Sequence, residues 1–158
     1  MDATEVARSL LDPVPAHRTA GLEVRNARDG VGVVAVQVRQ EISNVIGSLH
    51  SSGLITLIDA AGLAAIVSAC PDASMAKGVL PLGSAASLRF LAPARGRLVA
   101  TCALDDTTRD QLNALFSGVE ERVRISTVAE VTDESGKVVC RGTFDWTVRR
   151  TAPSPGPR

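Results

Sequence analysis

Three side chains that titrate near neutral pH stand in an otherwise apolar stretch of the chain. Between Leu49 and Pro71 they are His50, Asp59 and Cys70, and every other side chain there is aliphatic, small or hydroxylic. Imidazole and carboxylate groups are suited to general acid–base catalysis, and a carboxylate also acts as a nucleophile. An unpaired buried carboxylate is costly, so Asp59 at this position needs a reason.

This stretch predicts a long helix that is buried on nearly every side. Ser51 and Ser52 are suitable N-caps, Pro71 is a stop signal, and apolar residues occur all round the helix between them. About twenty apolar residues also meet the length criterion for a membrane span. Asp59 at the centre, the hydroxyl groups along the helix and the absence of a Lys/Arg bias at its ends argue against a span.

Two interpretations of Asp59 stay open from the residues alone. A polar residue on a core helix is often satisfied by a neighbouring hydroxyl or backbone group and is then structural. Alternatively, Asp59 belongs to a site shared by two chains. His50 lies nine positions earlier, which is about 13 Å of helix rise, so the two cannot meet in one chain. They can meet when two copies of the helix pack antiparallel about a two-fold axis.

The spacing Asn-x-x-Gly-x-x-His, continued by His-x8-Asp, resembles the signature of PaaI-type hotdog-fold acyl-CoA thioesterases. Asn44, Gly47, His50 and Asp59 carry it. Residues 80–98 resemble that family's post-helix strand and proline-containing turn, and residues 136–149, which include Trp-Thr-x-Arg, resemble the last strand of an uncharacterised PaaI-like subfamily. The resemblance covers residues 20–150. It implies an α+β hotdog fold, with a curved antiparallel sheet wrapped around one long helix and active sites at a dimer interface.

The resemblance also implies roles for these residues. Asp59 would be the base or nucleophile opposite the helix N-terminus of the partner subunit, Asn44 would position the water or the thioester oxygen, and His50 would order the loop or donate a hydrogen bond. Unpaired backbone N–H groups at a helix N-terminus suit a developing oxyanion. Here these groups belong to Ser51, Ser52 and Gly53.

The chain departs from the family pattern in two places. The family commonly has His-Gly-Gly where this chain has His50-Ser51-Ser52, so a serine side chain either crowds the thioester or adds a contact. Some members carry a Ser or Thr early in the post-helix strand that orients the water. The aligned position is Gly83, and we expect the adjacent Ser84 to substitute for it.

Coenzyme A would be part of the substrate, and no separate cofactor is expected. Basic side chains near the site would bind its phosphates, and the nearest are Arg89, Arg95 and Arg97. Scattered arginines more commonly form a solvated face, and the sequence has no Gly-rich phosphate loop.

The composition argues against nucleic-acid binding, a disulfide framework and a metal site. The 158 residues hold 17 basic and 17 acidic side chains, one Trp and no Tyr, which is no footprint for nucleic acid. Three cysteines and two histidines without a ligand pattern predict neither a disulfide framework nor a metal site. Asp2 and Glu5 stand where a signal peptide would be basic, so we expect a cytoplasmic protein with no membrane partner.

One domain is predicted. Residues 1–20 form a flanking helix and linker, 21–150 the hotdog domain and 151–158 a disordered tail. His17, in a proline-rich turn before the first strand, is interpreted as a surface or turn histidine and not as a catalytic one, and Asp29-Gly30 as a hairpin turn. The predicted helix of the flank spans 2–11, and the predicted strands span 22–27, 31–40, 85–91, 97–105, 123–131 and 138–148.

Residues 105–118 interrupt the strands with a short inserted helix, because Leu112, Leu115 and Phe116 have helical spacing and Gly118 is a stop signal. Two roles stay open for this insert: it caps a sheet edge, or its three apolar side chains line an acyl pocket.

The predicted function is hydrolysis of acyl-CoA or acyl-carrier-protein thioesters by a homodimer or a dimer of dimers. One alternative is a non-catalytic module that binds acyl thioesters or small ligands through Asp59 and Asn44. Another is a hotdog dehydratase, which is disfavoured because no histidine is expected beside the helix carboxylate.

Overall fold

The computed structural model describes residues 2–151, apart from the side chains of residues 73 and 74. The helices are α1 (Ala3–Leu11), α2 (Pro15–Ala20), α3 (Ser51–Ser68), α4 (Ala73–Ala76) and α5 (Asp106–Phe116). The strands are β1 (Glu23–Arg28), β2 (Val31–Gln37), β3 (Val79–Phe90), β4 (Arg97–Ala103), β5 (Arg122–Thr132) and β6 (Val138–Arg150). Except for residue 151, the predicted disordered tail lies outside the described residues.

The strands form one antiparallel sheet in the order β1-β2-β4-β5-β6-β3, so β1 and β3 are its edges. Helix α3 packs on one face of it, which is the predicted α+β layout. The predicted hairpin turn is confirmed, because Asp29 (φ 50°) and Gly30 (φ 74°) both have the left-handed conformation that a tight two-residue turn requires.

Helix α3 approaches the sheet to backbone distance. Four of its alanines, Ala60, Ala61, Ala64 and Ala65, are fully buried. Gly32 of β2 lies directly opposite them: a Cβ atom on Gly32 would stand 2.3 Å from the Ala61 carbonyl oxygen and 2.5 Å from the Ala65 nitrogen. Because Gly32 has no side chain, the backbones of helix and strand can approach each other this closely.

The expectation that α3 is buried on nearly every side is wrong along one stripe. Residues that recur every three or four positions, and so share a helix face, are only partly covered; they are Ser52, Ile55, Thr56, Asp59, Leu63 and Val67. Ile55 is 41% exposed. The helix meets the length and hydropathy test for a membrane span, yet 61% of it is buried inside the domain, as expected of a core helix.

The N-terminal residues pack onto the domain. Helix α1 was predicted; Asp2 caps it by accepting a hydrogen bond from the Glu5 N–H (3.0 Å), and α1 contacts both α3 and β1. Helix α2 was not predicted. It begins with Pro15 and ends at Gly21 (φ 69°), and it places His17 in the interior with 3% of its surface exposed. The interpretation of His17 as a surface residue is therefore wrong.

Helix α5 confirms the predicted insert and caps an edge. The pairing between β4 and β5 covers only residues 129–132 of β5. The preceding part of β5 therefore has no strand on that side. Gln111 Nε2 donates to the Arg124 carbonyl (3.1 Å), and Thr108 Oγ1 donates to the Ser126 carbonyl (3.5 Å). The helix thus satisfies backbone acceptors that β4 does not reach.

Candidate active site

A tight loop before α3 holds Asn44 in a defined orientation. The Asn44 side-chain oxygen accepts hydrogen bonds from the backbone N–H groups of Ile46 (3.1 Å) and Ser48 (3.0 Å). Gly47 (φ 73°) allows the reversal of direction between them. Since the side-chain oxygen is used twice, the Asn44 Nδ2 group is left as the outward donor, and it has no hydrogen-bond partner within residues 2–151.

The loop is fastened to the turn that follows β3. The Leu49 N–H donates to the Ala94 carbonyl (2.7 Å), and the Ala94 N–H donates to Ser48 Oγ (2.8 Å). Ser48 and Leu49 are buried, so solvent does not compete for these bonds. The loop that carries Asn44 is therefore held in place before any ligand binds.

Replacing Ser48 with alanine is expected to destabilise the protein by about 1–3 kcal/mol, because the Ala94 N–H would be buried without an acceptor. Chemical denaturation measures the loss. Ser43→Ala is the matched control, since it removes a solvent-exposed hydroxyl bond in the same loop (to the Arg39 carbonyl, 2.7 Å). Equal losses in the two variants would contradict this account of the loop.

His50, and not Ser51 or Ser52, is the N-cap of α3. Its Nδ1 accepts from the Ser52 N–H (3.1 Å) and lies 2.8 Å from Ser52 Oγ, so the ring proton is on Nε2. The Gly53 N–H donates to the His50 carbonyl (2.9 Å). Two of the three N–H groups expected for an oxyanion are therefore engaged inside the chain, and the Ser51 N–H alone has no partner within the described residues.

Asn44, His50 and Ser51 come together in one cavity of about 490 Å³. The remainder of its wall is largely apolar and includes Ile46, Leu49, Leu54 and residues 90–93. Within residues 2–151, three donors here have no hydrogen-bond partner: Asn44 Nδ2, His50 Nε2 and the Ser51 N–H. Hydrogen-bond donors grouped against an apolar wall are suited to a carbonyl oxygen that gains negative charge.

Asp59 lies elsewhere on the protomer and has a partner in its own chain. Its Oδ2 stands 3.6 Å from His17 Nε2, while His17 Nδ1 is 3.0 Å from the Leu11 carbonyl. Burial alone would lower the pKa of His17, but the hydrogen bonds to Asp59 and Leu11 and the nearby carboxylates outweigh burial and raise it. The carboxylate of Asp59 is not sealed off, because its side chain is 28% exposed.

Sequence reasoning missed the His17 contact. The proline at the first position of α2 and the glycine after its end were the available signals. They predict a short helix but do not show which residue its histidine meets.

An apolar groove of about 310 Å³ begins one helical turn beyond Asp59, at Leu63. The groove is lined by the end of α1 and residue 14, by the last turns of α3, by the start of β3 and by Phe116 of α5. Thus Phe116 does line a pocket, whereas Leu112 and Leu115 are fully buried in the core. Cys70 also lines the groove, and burial raises the pKa of its thiol.

The family model described as a domain of unknown function, DUF4442, matches residues 4–148. The chain belongs to the DUF4442 family. Curated proteins give no sequence match to it.

Solved structures resemble this DUF4442 protein over nearly its whole length. PA5026 of Pseudomonas aeruginosa, described as a protein of unknown function and probable thioesterase, has a TM-score of 0.72 at 24% identity, over 94% of this chain and 93% of its own. PaaI of Escherichia coli, from the phenylacetic acid degradation operon, has a TM-score of 0.66 at 18% identity, over 95% and 94%. A mutant of the Staphylococcus aureus thioesterase enzyme SAV0944 gives 0.64 at 16%, over 84% and 97%.

These likenesses confirm the predicted hotdog fold and show that the resemblance to PaaI extends to the structure. At such identities they show the fold alone.

Ser84 does not join the loop residues in the DUF4442 protomer. A Cβ atom on Gly83 would stand 2.5 Å from the Phe144 ring, so the aligned position has no room for a serine unless the ring moves. Ser84 lies in a bulge of β3, where its hydroxyl donates to the Asp145 carbonyl (3.2 Å). It lines a separate polar cavity with Asp145 and Ser126.

Of the three arginines expected near coenzyme A, one lies at the loop. Arg95 donates to the Ile46 carbonyl (2.9 Å). Arg97 is paired with Glu23 (3.1 Å), and Arg89 is exposed on the edge strand β3. Among residues 2–151 there is no cluster of three or more His, Cys, Asp or Glu side chains that would hold a metal ion.

Proposed function

We propose that this DUF4442 protein hydrolyses acyl thioesters of coenzyme A or of an acyl-carrier protein, in a site completed by a second copy of the chain. The observation that carries the proposal is that the hydrogen-bond donors of the loop and the carboxylate of Asp59 lie at two separate positions on the protomer. The loop cavity holds hydrogen-bond donors and no carboxylate among its lining residues, while Asp59, whose side chain is 28% exposed, lies on the open stripe of α3 beside an apolar groove.

A homodimer, or a dimer of dimers, would bring the two halves together. Strand β3 is a twelve-residue edge without a neighbour on its outer side in the described protomer, and unpaired strand edges readily take up a second strand. Val45, Ile46, Phe90 and Leu91 are each more than half exposed around the loop cavity. A contiguous apolar surface of this kind is typical of a protein interface.

In the proposed reaction the thioester oxygen accepts hydrogen bonds at the loop of one subunit, from Asn44, His50 and the Ser51 N–H. Asp59 of the other subunit takes a proton from a water molecule, and the water oxygen attacks the carbonyl carbon. The tetrahedral intermediate collapses, the carbon–sulfur bond breaks, and the thiolate leaves and is protonated. Direct attack by the Asp59 carboxylate is the other route available to this group.

The proposed substrate has a hydrophobic acyl group, because the groove beyond Asp59 is lined almost wholly by aliphatic side chains and Phe116. Arg95 at the loop would meet the phosphates of coenzyme A. A cytoplasmic location agrees with such substrates and is part of the proposal.

A panel of acyl-CoA thioesters of increasing acyl length, with detection of the released thiol, tests the activity. Thiol release that depends on the enzyme is expected for hydrophobic acyl groups. Tight binding of acyl-CoA with no thiol release would favour a binding module instead.

Mixing two inactive variants tests whether the site is shared. A dimer of an Asp59→Asn chain and an Asn44→Ala chain has one site with both groups intact and one with neither. Random exchange of subunits should therefore restore about a quarter of the wild-type activity. If mixed and unmixed preparations are equally inactive after subunit exchange has been verified, the two groups do not act across an interface.

The buried position of His17 also bears on the dehydratase alternative. A histidine does lie beside the helix carboxylate, contrary to expectation, but it is 3% exposed and its Nδ1 is bound to a backbone carbonyl. It is therefore not placed to exchange protons with a substrate.

A further inference from the structure

We infer that His17 is a positioning residue for Asp59: its imidazolium ring fixes the carboxylate with one oxygen directed inward and the other free for the reaction. This inference rests on the proposed function, in which Asp59 is the reacting group. The difference in exposure assigns the roles, since Asp59 is 28% exposed and His17 3% exposed. Asp59 is thus the member of the pair that meets substrate or water.

The hydrogen bond to Leu11 and the contact with Asp59 are both favourable only when both ring nitrogens of His17 carry protons. The Leu11 carbonyl can only accept, so Nδ1 at 3.0 Å must be a donor. A neutral ring would then present the lone pair of Nε2 to the Asp59 carboxylate at 3.6 Å, and two acceptors would face each other. The arrangement is favourable only when Nε2 is also protonated, so that His17 and Asp59 form an ion pair.

The charges around His17 act in the same direction. Asp59 of α3 and Asp12 at the end of α1 both favour the imidazolium, as does the Leu11 carbonyl, and together they exceed the opposing effect of burial. The contact therefore exists below the raised pKa of His17 and is lost as pH rises through it. Because this folded-state pKa lies above the ordinary value of 6.5, the stability that the pair contributes is also lost on the alkaline side.

Nitrogen-15 NMR of the full-length protein tests the pair without any assay of activity. The chain has two histidines, so a His50→Gln variant assigns the ring signals of both. We expect His17 to show two protonated ring nitrogens at pH 6, below its raised pKa, and its titration midpoint to fall in Asp59→Asn. A His17 ring with an unprotonated Nε2 below pH 6, or a midpoint unchanged in Asp59→Asn, would overturn the inference.

Kinetics of His17→Gln test the consequence for the reaction. Misplacing a catalytic group slightly costs on the order of 10- to 100-fold, so kcat should fall by about that factor with little change in KM. We expect kcat/KM of the wild type to decline on the alkaline side as His17 loses its proton. This decline should be absent from His17→Gln, because a glutamine amide does not titrate in this range.

Thr127→Val is the matched control, since it removes a buried hydrogen bond to Trp146 (2.8 Å) on the sheet side of α3. It should lower stability and keep the wild-type pH profile. If His17→Gln keeps that profile too, His17 is structural only. If the protein hydrolyses no acyl-CoA, the proposed function is wrong. The NMR titration would still show whether His17 is paired with Asp59.

Discussion

Replacing Asp59 with asparagine is expected to reduce acyl-CoA hydrolysis by about 10³-fold while leaving the protein folded. The amide has nearly the same shape as the carboxylate, and its oxygen can still accept a hydrogen bond from His17. It cannot take a proton from water, and general-base contributions are commonly of the order of 10²–10⁴. Thiol release under saturating substrate measures the loss, and circular dichroism and size-exclusion chromatography verify fold and assembly.

Asp145→Asn is the control for this variant. Asp145 is a partly buried carboxylate on β6 that accepts a hydrogen bond from Ser126 Oγ (2.6 Å), and it lies in the separate polar cavity. The same chemical change at this position should leave hydrolysis within about twofold of wild type, as is usual for sites away from the chemistry. Retention of more than a tenth of the activity in Asp59→Asn would rule out Asp59 as base or nucleophile.

Gly32→Ala is expected to produce the largest loss of stability of any glycine-to-alanine change among the described glycines, because its Cβ atom alone would stand under 3.0 Å from backbone atoms. The new Cβ atom would meet the backbone of α3, at the Ala61 oxygen (2.3 Å) and the Ala65 nitrogen (2.5 Å), and a backbone cannot rotate away as a side chain can. The helix would have to move off β2, which opens the interface on both sides. We expect a loss of about 3 kcal/mol, at the upper end for overpacking, and this is a large share of a typical domain's stability.

Gly78→Ala provides the comparison, because its Cβ atom would have the Met75 oxygen as its nearest neighbour, at an ordinary 3.7 Å. A change of less than about 1 kcal/mol is expected there, as for glycines with open space. Urea denaturation of both variants measures the two effects. Similar midpoints for Gly32→Ala and wild type would mean that α3 is not packed against β2 as closely as described.

Much of this fold could be predicted because its signals are local. Alternation of apolar and polar residues along β5 and β6 identifies the strands and their inward faces, and Ile125 and Trp146 are buried as the pattern requires. The Asp29-Gly30 turn is specified by the left-handed conformations that these two residue types tolerate. Such features depend on neighbours in the sequence and are therefore readable from it.

Strand β3 was harder to delimit. The pattern predicted a strand over residues 85–91, whereas the observed strand begins at Val79. Pro81 and Gly83 oppose a strand assignment in the interior of a sheet. On an edge, however, Pro81 does not need to donate to a neighbour, and it pairs in register with Val148. Edge position is a property of the whole sheet, so the local sequence could not supply it.

The candidate site was predicted in its residue types and only partly in its contacts. Asn44 and His50 line the same cavity, and their roles in a reaction stay a prediction. The engagement of the Ser52 N–H was missed because an imidazole is an unusual helix cap, and the usual cap residues, Ser51 and Ser52, come directly after it. The contact between His17 and Asp59 joins residues 42 positions apart (59 minus 17), and no periodicity within the chain encodes a contact of that kind.

The cysteines, of which Cys102 and Cys140 are buried and Cys70 is partly buried, have a consequence for how thiol release can be measured. Burial raises the pKa of Cys102 to about 12, and burial also raises the pKa of Cys70 and Cys140. Since the thiolate is the reactive form, the folded protein itself should consume chromogenic disulfide reagents slowly. Colour that develops rapidly in their presence would then report coenzyme A set free in solution, with little background from the enzyme.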